Sequence, residues 1–370
     1  MSSPRQIVVV TGSRAEYGLL CTVLDAIKEH PDLELKIVVA GTHLLPEINT
    51  VREIRAERSI DAEVPMQQPG LTGRQADAYA LGRGVQGFAD VFERLNPDVV
   101  LVLGDRIEAF AAACAASVAG IHIAHMHGGD RAIGVADEAM RHAVTKLAHI
   151  HLPATVQSAT RIQKMGEPEE SIFLVGSPAA DRIFEIDAMD DAEFSSLGSP
   201  RTIFLMHGVG DDVSAERQRA SDVLAGCVKQ GPVLALAPNP DPGSAGIREA
   251  IEDASHKVHK LEHLPRDRFV AALHRVDALV GNSSAGLIEA AIIGCPSINV
   301  GDRQGGRERS ANVMDVQSTH STEIYGAINR AAEMPRSSDH PYGDGRCGER
   351  VAEVLLQISL SSSLRKHNSY

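Results

Sequence analysis

The sequence predicts an α/β protein made of two doubly wound parallel sheets. Three observations carry that expectation. Short β-branched apolar runs alternate with helical patterns along the chain. The runs are continuously apolar, as strands covered on both faces are. The theme breaks once, at a polar, acidic, Ser/Gly-rich stretch from 187 to 200, and then restarts. A chain of 370 residues, 43% of them hydrophobic, suits two such domains better than one.

The elements follow in order. Ile7–Val10 reads as the first strand, Thr11-Gly12-Ser13-Arg14 as its turn and Ala15–Lys28 as a helix. Leu35–Ala40 is the second strand. Val99–Leu103 follows Pro97-Asp98, and Gly104-Asp105-Arg106 opens an Ala-rich helix to about Ala119. Ile121–Met126, Ile150–Leu152 and Ile172–Val175 are further strands, with helices over Asp137–Ala148 and Val156–Met165. In the second half, strands are expected at Thr202–Met206, Val233–Ala237, Ala278–Val280 and Ser297–Val300. Ser214–Lys229 and Ala285–Ile293 are the clearest helices there. The expected domains are 1–186 and 201–347, with 187–200 as linker. Helical spacing of apolar residues over about 348–362 predicts a closing helix that packs back on the first domain. Ligands of parallel sheets bind at the carboxyl ends of strands. Two such rims, facing each other across a cleft, are the expected ligand site.

Composition narrows the function. The net charge of −13 argues against a nucleic-acid-binding face, which a phosphate backbone requires to be basic. It leaves room for a small anion held by a few Arg residues and helix N-termini. Cys21, Cys114, Cys227, Cys295 and Cys347 are scattered and never spaced Cys-x-x-Cys, so neither a disulfide framework nor a zinc site is expected. No apolar run is long enough to span a bilayer, and no leader pattern precedes Ile7. The expectation is a cytoplasmic protein.

Five constellations can carry chemistry. Thr11-Gly12-Ser13-Arg14-Ala15-Glu16-Tyr17 is a strand-to-helix turn suited to an anion, without the Gly-x-Gly-x-x-Gly of a dinucleotide site. In Gly104-Asp105-Arg106 the Asp sits where substrates arrive, and an N-cap is the competing role. His125-Met126-His127-Gly128-Gly129-Asp130 is followed by Asp137-Glu138 and Arg141-His142. Asp137 with Arg141, and Glu138 with His142, are i,i+4 pairs that can interlock. The two-residue spacing puts His125 and His127 on one strand face. Such clusters perform acid/base chemistry, and a His-x-His metal site competes with that use. Gly281-Asn282-Ser283-Ser284 at a helix start, with Glu289 one turn in, suits a phosphate and a ribose diol. His207, Pro238-Asn239-Pro240-Asp241 and Asn299 to Arg307 are further strand-end turns of the second domain. His43 and His340 carry no pattern and read as surface residues.

In this order, Thr11-Gly-Ser-Arg-Ala-Glu-Tyr17, Gly104-Asp-Arg106, His125-x-His-Gly-Gly-Asp130, Asp137-Glu-x-x-Arg-His-x-x-Thr-Lys146, Gly281-Asn-Ser-Ser284 and Arg303-Gln-x-Gly-Arg307 resemble the UDP-N-acetylglucosamine 2-epimerases, above all their hydrolysing branch. The resemblance implies the two-domain GT-B architecture, no cofactor or metal, a UDP-sugar as partner and a homodimer or homotetramer. It implies elimination of UDP from a UDP-2-acetamido sugar to a 2-acetamidoglycal, followed by addition of water with inversion at C2. UDP-GlcNAc, giving N-acetylmannosamine, is the expected substrate. Asp105, His127, Asp137, Glu138, Arg141 and His142 are the catalytic set it implies. Arg14, Tyr17, Arg106, His207, Asn239, Ser283, Ser284, Glu289 and Arg303 are the implied UDP- and sugar-binding set. Many members have Glu where this chain has His127. That departure points to a different sugar, such as a 2,4-diacetamido-2,4,6-trideoxy hexose, or to a UDP-sugar binder without turnover. A non-hydrolysing epimerase and a glycosyltransferase are activities that the same fold could also support.

Overall fold

The computed structural model describes residues 3–132, 137–239, 241–360 and 366, with the backbone alone at Asp137. The chain divides into two compact units. One comprises Met1–Asp130, Ala136–Asp181 and Gly343–Tyr370, the other Arg131–Val135 and Arg182–Tyr342.

The first unit runs β1 (Arg5–Thr11), α1 (Arg14–Glu29), β2 (Leu33–Ala40), α2 (Val51–Glu57), β3 (Ala62–Val64), α3 (Arg74–Leu95), β4 (Val99–Leu103), α4 (Ile107–Val118), β5 (His122–Met126), α5 (Asp137–Leu147), β6 (Ile150–Leu152) and α6 (Val156–Lys164). Its strands form one parallel sheet in the order β3-β2-β1-β4-β5-β6. Successive residues of a strand face opposite sides of a sheet. On β1, Ile7 and Val9 enter the layer containing Leu20, Leu24 and Ile27 of α1. Val8 and Val10 enter the opposite layer, with Phe88 and Phe92 of α3 and the alanines of α4. Both faces of β1 are thus apolar because both are covered, and each such side chain contributes about 1.5–3 kcal/mol by leaving water.

The second unit runs α7 (Asp191–Ser196), β7 (Thr202–Leu205), α8 (Val213–Gln230), β8 (Val233–Leu236), α9 (Ser244–Asp253), β9 (Val258–Leu261), α10 (Arg266–Leu273), β10 (Ala278–Gly281), α11 (Glu289–Ile292), β11 (Ser297–Val300), β12 (Val313–Val316) and α12 (Ser321–Ala332). Its parallel sheet has the order β12-β11-β10-β7-β8-β9, the same winding as the first. The last helix, α13 (Cys347–Gln357), belongs to the first unit, where Val351, Ala352 and Leu355 pack in the layer of α1. Among the described residues no helix is long and apolar enough to cross a membrane.

Three stretches differ from the sequence expectation. Ile172–Val175 is not a strand: only Ile172 bridges to His151, and Val175 donates to the Pro153 carbonyl. Pro153 has no N–H to return, so the ladder stops. Ala285–Ile293 is not one helix but a 3₁₀ turn over Ser284–Gly286 followed by the short α11. Gly286 lies so close to β11 that a Cβ there would stand 2.4 Å from Ser297 Oγ, and Ile288, with ψ of −76°, bends the chain between the two pieces. The stretch 187–200 carries α7, whose first turn is capped by Asp190. Phe194 lies under the Arg275 guanidinium and Arg275 pairs with Asp191, so the stretch packs within the second unit.

Candidate active site

In the first unit the strand order reverses between β1 and β4, the position at which doubly wound sheets bind ligands. The chain leaves β4 through Gly104, at φ 76°, a left-handed turn that glycine adopts without strain. Asp105 follows. It is not the cap of α4: Arg106 occupies that position and makes no side-chain cap bond. Asp105 instead forms an ion pair with Arg141 Nη2. Arg141 is buried on α5, with Nη1 3.7 Å from Glu138 Oε2. Glu138 Oε1 lies 3.2 Å from His142 Nε2, the i,i+4 contact the spacing predicts. Four of the six expected catalytic residues are therefore contiguous: Asp105, Arg141, Glu138 and His142. The Asp137 side chain, and with it the expected Asp137–Arg141 pair, lies outside the described residues.

His125 explains how α5 finds β4. Its Nε2–H donates to the Gly104 carbonyl at 2.7 Å, and Thr145 Oγ1 of α5 is 3.2 Å from its Nδ1. Thr145 also donates to the Arg141 carbonyl. Complete burial pushes the His125 pKa down to about 3, so the ring is neutral at pH 7. A neutral imidazole thus ties the turn carrying Asp105 to the helix carrying Arg141.

His127 goes elsewhere. β5 ends at Met126, and His127 turns through a left-handed φ of 58°. Its Nδ1 is 2.9 Å from Asp130 Oδ2 and its Nε2 is 3.0 Å from Ser177 Oγ. The two histidines therefore hydrogen-bond to different groups, because the strand periodicity that would align them ends between them.

The β1 rim holds Arg14 at the start of α1, 3.3 Å from Glu53 of α2. Arg106 Nε lies 3.8 Å from Glu108 Oε2. Gly12 donates its N–H to Glu16 Oε2 at 2.8 Å. Burial pushes the Glu16 pKa up to about 8, the Gly12 N–H opposes that shift and the nearby Glu108 adds to it. Glu108 is buried directly under the rim: a Cβ on Gly12 or Gly41 would come within 2.4 or 2.2 Å of its side chain. Its Oε1 accepts from Gln67 Nε2.

Tyr17 does not stand at this rim. It packs in the core of the first unit and its hydroxyl donates to Glu57 of α2, because helical periodicity turns position 17 inward. His43, expected at the surface, is fully buried. Thr11 Oγ1 is 3.1 Å from its Nε2 and Thr50 Oγ1 is 2.6 Å from its Nδ1. Burial pushes its pKa down to about 4, so it too is neutral at pH 7. His340 is half-buried, between Phe184 and Tyr342.

In the second unit the order reverses between β7 and β10. His207, just past β7, receives the Asn239 N–H on Nδ1 at 3.1 Å. Nε2 therefore carries the proton and donates to Ser283 Oγ, 3.3 Å away. Asn282 braces the pair, accepting the His207 N–H and donating to its carbonyl. Ser283 caps the 3₁₀ turn that starts at the half-buried Ser284. Arg303 donates to the Asn282 carbonyl at 3.2 Å and lies 3.5 Å from Asp241. Glu289 begins α11, half-buried. Pro240 lies outside the described residues. His207, Asn239, Ser283 and Arg303 thus meet at one strand-end cluster, with Ser284 on its turn. Glu108 and Ser177 are neighbours that no motif of the sequence contains, while Glu16, His125 and Asp130 stand inside motifs but outside the expected catalytic and binding sets. A Glu four residues after the rim glycine is the one sequence signal that points to Glu16.

These two rims occur in a chain whose likeness to known proteins runs end to end. The profile of the UDP-N-acetylglucosamine 2-epimerase family matches residues 25–356. A Legionella pneumophila protein named UDP-N,N'-diacetylbacillosamine 2-epimerase (hydrolyzing) is 40% identical over 99% of this chain and 100% of its own. A Neisseria meningitidis protein named UDP-N-acetylglucosamine 2-epimerase is 30% identical over 95% of each chain. Among solved structures, the Neisseria meningitidis UDP-GlcNAc 2-epimerase bound to UDP-GlcNAc superposes with a TM-score of 0.80 at 18% identity, covering 95% of this chain and 100% of that one. The doubly wound sheets and the full-length match together assign the chain: it belongs to the UDP-N-acetylglucosamine 2-epimerase family.

Proposed function

We propose that this protein is a hydrolysing 2-epimerase that takes UDP from a UDP-2-acetamido sugar and releases the C2-inverted free sugar. The observation that carries this reading is the contiguous set Asp105, Arg141, Glu138 and His142 at the carboxyl end of β4. Elimination requires a base at C2, with UDP departing from C1 as the C1–C2 double bond forms. Water then delivers hydroxide to C1, and a proton returns to C2 on the opposite face. Asp105, oriented by Arg141, is one acid/base group, and Asp137 is the second. Glu138, itself in contact with His142, positions Arg141. Arg14 and Arg106 face the diphosphate, and His207, Asn239, Ser283, Ser284 and Arg303 hold the nucleotide, with Glu289 on the ribose diol. Tyr17 acts by holding α1 in place rather than by touching substrate.

For the sugar, the full-length likeness to the Legionella pneumophila protein favours a 2,4-diacetamido-2,4,6-trideoxy hexose. UDP-GlcNAc is the second reading, favoured by the Neisseria meningitidis relative. The active form is a homodimer or homotetramer in the cytoplasm, which light scattering and fractionation check. Pure protein is incubated with each UDP-sugar and the products are followed by NMR. Free UDP and a C2-inverted free sugar are expected, with the higher kcat/KM for the trideoxy substrate. No UDP from either substrate sinks the reading. An epimer still bearing UDP would make the protein a non-hydrolysing epimerase, and dependence on an added acceptor would make it a transferase.

A further inference from the structure

His127 sits in a buried chain of four side chains within the first unit. Asp130 is 2% exposed and Ser177 and Ser158 are fully buried. Asp130 Oδ2 faces His127 Nδ1 at 2.9 Å, and Asp130 Oδ1 accepts from Ser158 Oγ at 2.7 Å. Thr155 Oγ1 donates to Ser158 Oγ and accepts the Ser158 N–H, so the chain is anchored at the first turn of α6. At the other end, Ser177 Oγ accepts the Ala179 N–H while lying 3.0 Å from His127 Nε2. A carboxylate accepts only, so Nδ1 is the protonated nitrogen.

The order carboxylate, imidazole, hydroxyl is that of an acyl-transfer triad. The surroundings exclude that use. Ser177 is completely buried and caps the 3₁₀ turn Pro178–Ala180, so its oxygen has no access to a substrate carbonyl. His127 is itself 6% exposed, with both nitrogens committed to protein groups. Its left-handed φ of 58° is a conformation that surrounding contacts must hold. The adjoining Gly129 is equally constrained: a Cβ there would stand 2.3 Å from the Ser158 carbonyl oxygen.

We infer that His127 is a positioning residue, clasped between Asp130 and Ser177, and that these two residues with Ser158 fix the turn from His127 to Asp130 that follows β5. It moves no proton on the substrate. The inference rests on the proposed epimerase reaction and alters it at one place: His127 leaves the expected catalytic set and is a structural joint. That turn packs on the link between the Asp105 turn and α5: a Cβ on Gly128 would stand 2.9 Å from His125 Nδ1 and 3.1 Å from Thr145 Oγ1.

The test compares His127→Gln, His127→Ala and Ser177→Ala in the full chain. Gln offers one N–H and one carbonyl oxygen but no titrating group. His127→Gln should keep kcat within about threefold, with both limbs of the pH profile in place, while His127→Ala loses roughly tenfold or more. Ser177→Ala should fall between them. A His127→Gln protein that binds UDP normally, yet is as inactive as His127→Ala and lacks one pH limb, overturns the inference. A second readout needs no substrate. In ¹⁵N-histidine-labelled protein, the His127 ring, assigned by its loss in His127→Gln, should show a protonated Nδ1 across about pH 6 to 8. An Nε2–H tautomer overturns the inference. Failure of the wild-type protein to turn over any UDP-sugar would instead fall on the proposed reaction, with the ring signature untouched.

Discussion

Arg141 of α5 reaches across to the carboxylate of Asp105 at the end of β4, and the neutral His125 ring holds the two elements in that relation. The pair is largely buried, and Arg141 is also held by Glu138. An acid/base group fixed in this way needs its partner for geometry as well as for charge.

Asp105→Asn should lower kcat by roughly a hundredfold or more while UDP affinity stays within about threefold, as expected for loss of one acid/base group. Arg141→Lys should not rescue the orientation that a planar guanidinium supplies. Steady-state kinetics and calorimetric UDP titration measure both. Wild-type turnover in Asp105→Asn would remove it from the chemistry.

Glu16 makes stability depend on pH in a definite direction. Burial first, and Glu108 after it, hold its pKa near 8, above the ordinary value of 4.5. The folded state therefore binds the extra proton between those values. Its contribution is present in full below pH 4.5 and is lost as pH rises through 8. Glu16→Gln, which mimics the protonated group, should show a flatter fall. Its stability relative to wild type should rise by on the order of a few kcal/mol across that window. Urea unfolding at the two ends of the window gives the answer, and parallel wild-type and mutant curves would refute the assignment.

His207 and Ser283 act as one unit in the second rim, since the Nε2–H tautomer is set by the Asn239 N–H. His207→Ala and Ser283→Ala should each weaken UDP binding by about tenfold. The double mutant should be weaker than either by clearly less than the product, with a coupling of at least about 0.5 kcal/mol. Strict additivity would show that the two side chains act separately.

Two glycines with nearly equal φ separate backbone strain from crowding. Gly104, at 76°, has nothing within 4 Å of a Cβ, whereas Gly129, at 73°, has the Ser158 carbonyl oxygen at 2.3 Å. Gly104→Ala should cost about 1–2 kcal/mol, the strain of a left-handed residue. Gly129→Ala should cost at least about 2 kcal/mol more, since a backbone carbonyl must move. Comparable unfolding midpoints for the two variants would contradict this.

The sequence by itself determined the winding. Doubly covered strands are apolar without alternation, so Ile7–Val10, Val99–Leu103 and Ser297–Val300 announce themselves locally. Parallel strands place the residues after them on one rim, which is why Arg14, Asp105, Ser283 and Arg303 are legible from their positions in the chain. The i,i+4 rule likewise pairs Glu138 with His142. Only the tertiary structure decided which rim residues touch. Asp105 turned from a possible cap into the partner of Arg141, and His127 met Asp130 and, fifty positions along the chain, Ser177. It also took Tyr17 and His43 into the interior. The physical reason is common to all four. Burial and long-range pairing decide where a polar side chain points and what it meets, and neither is written in the residues beside it.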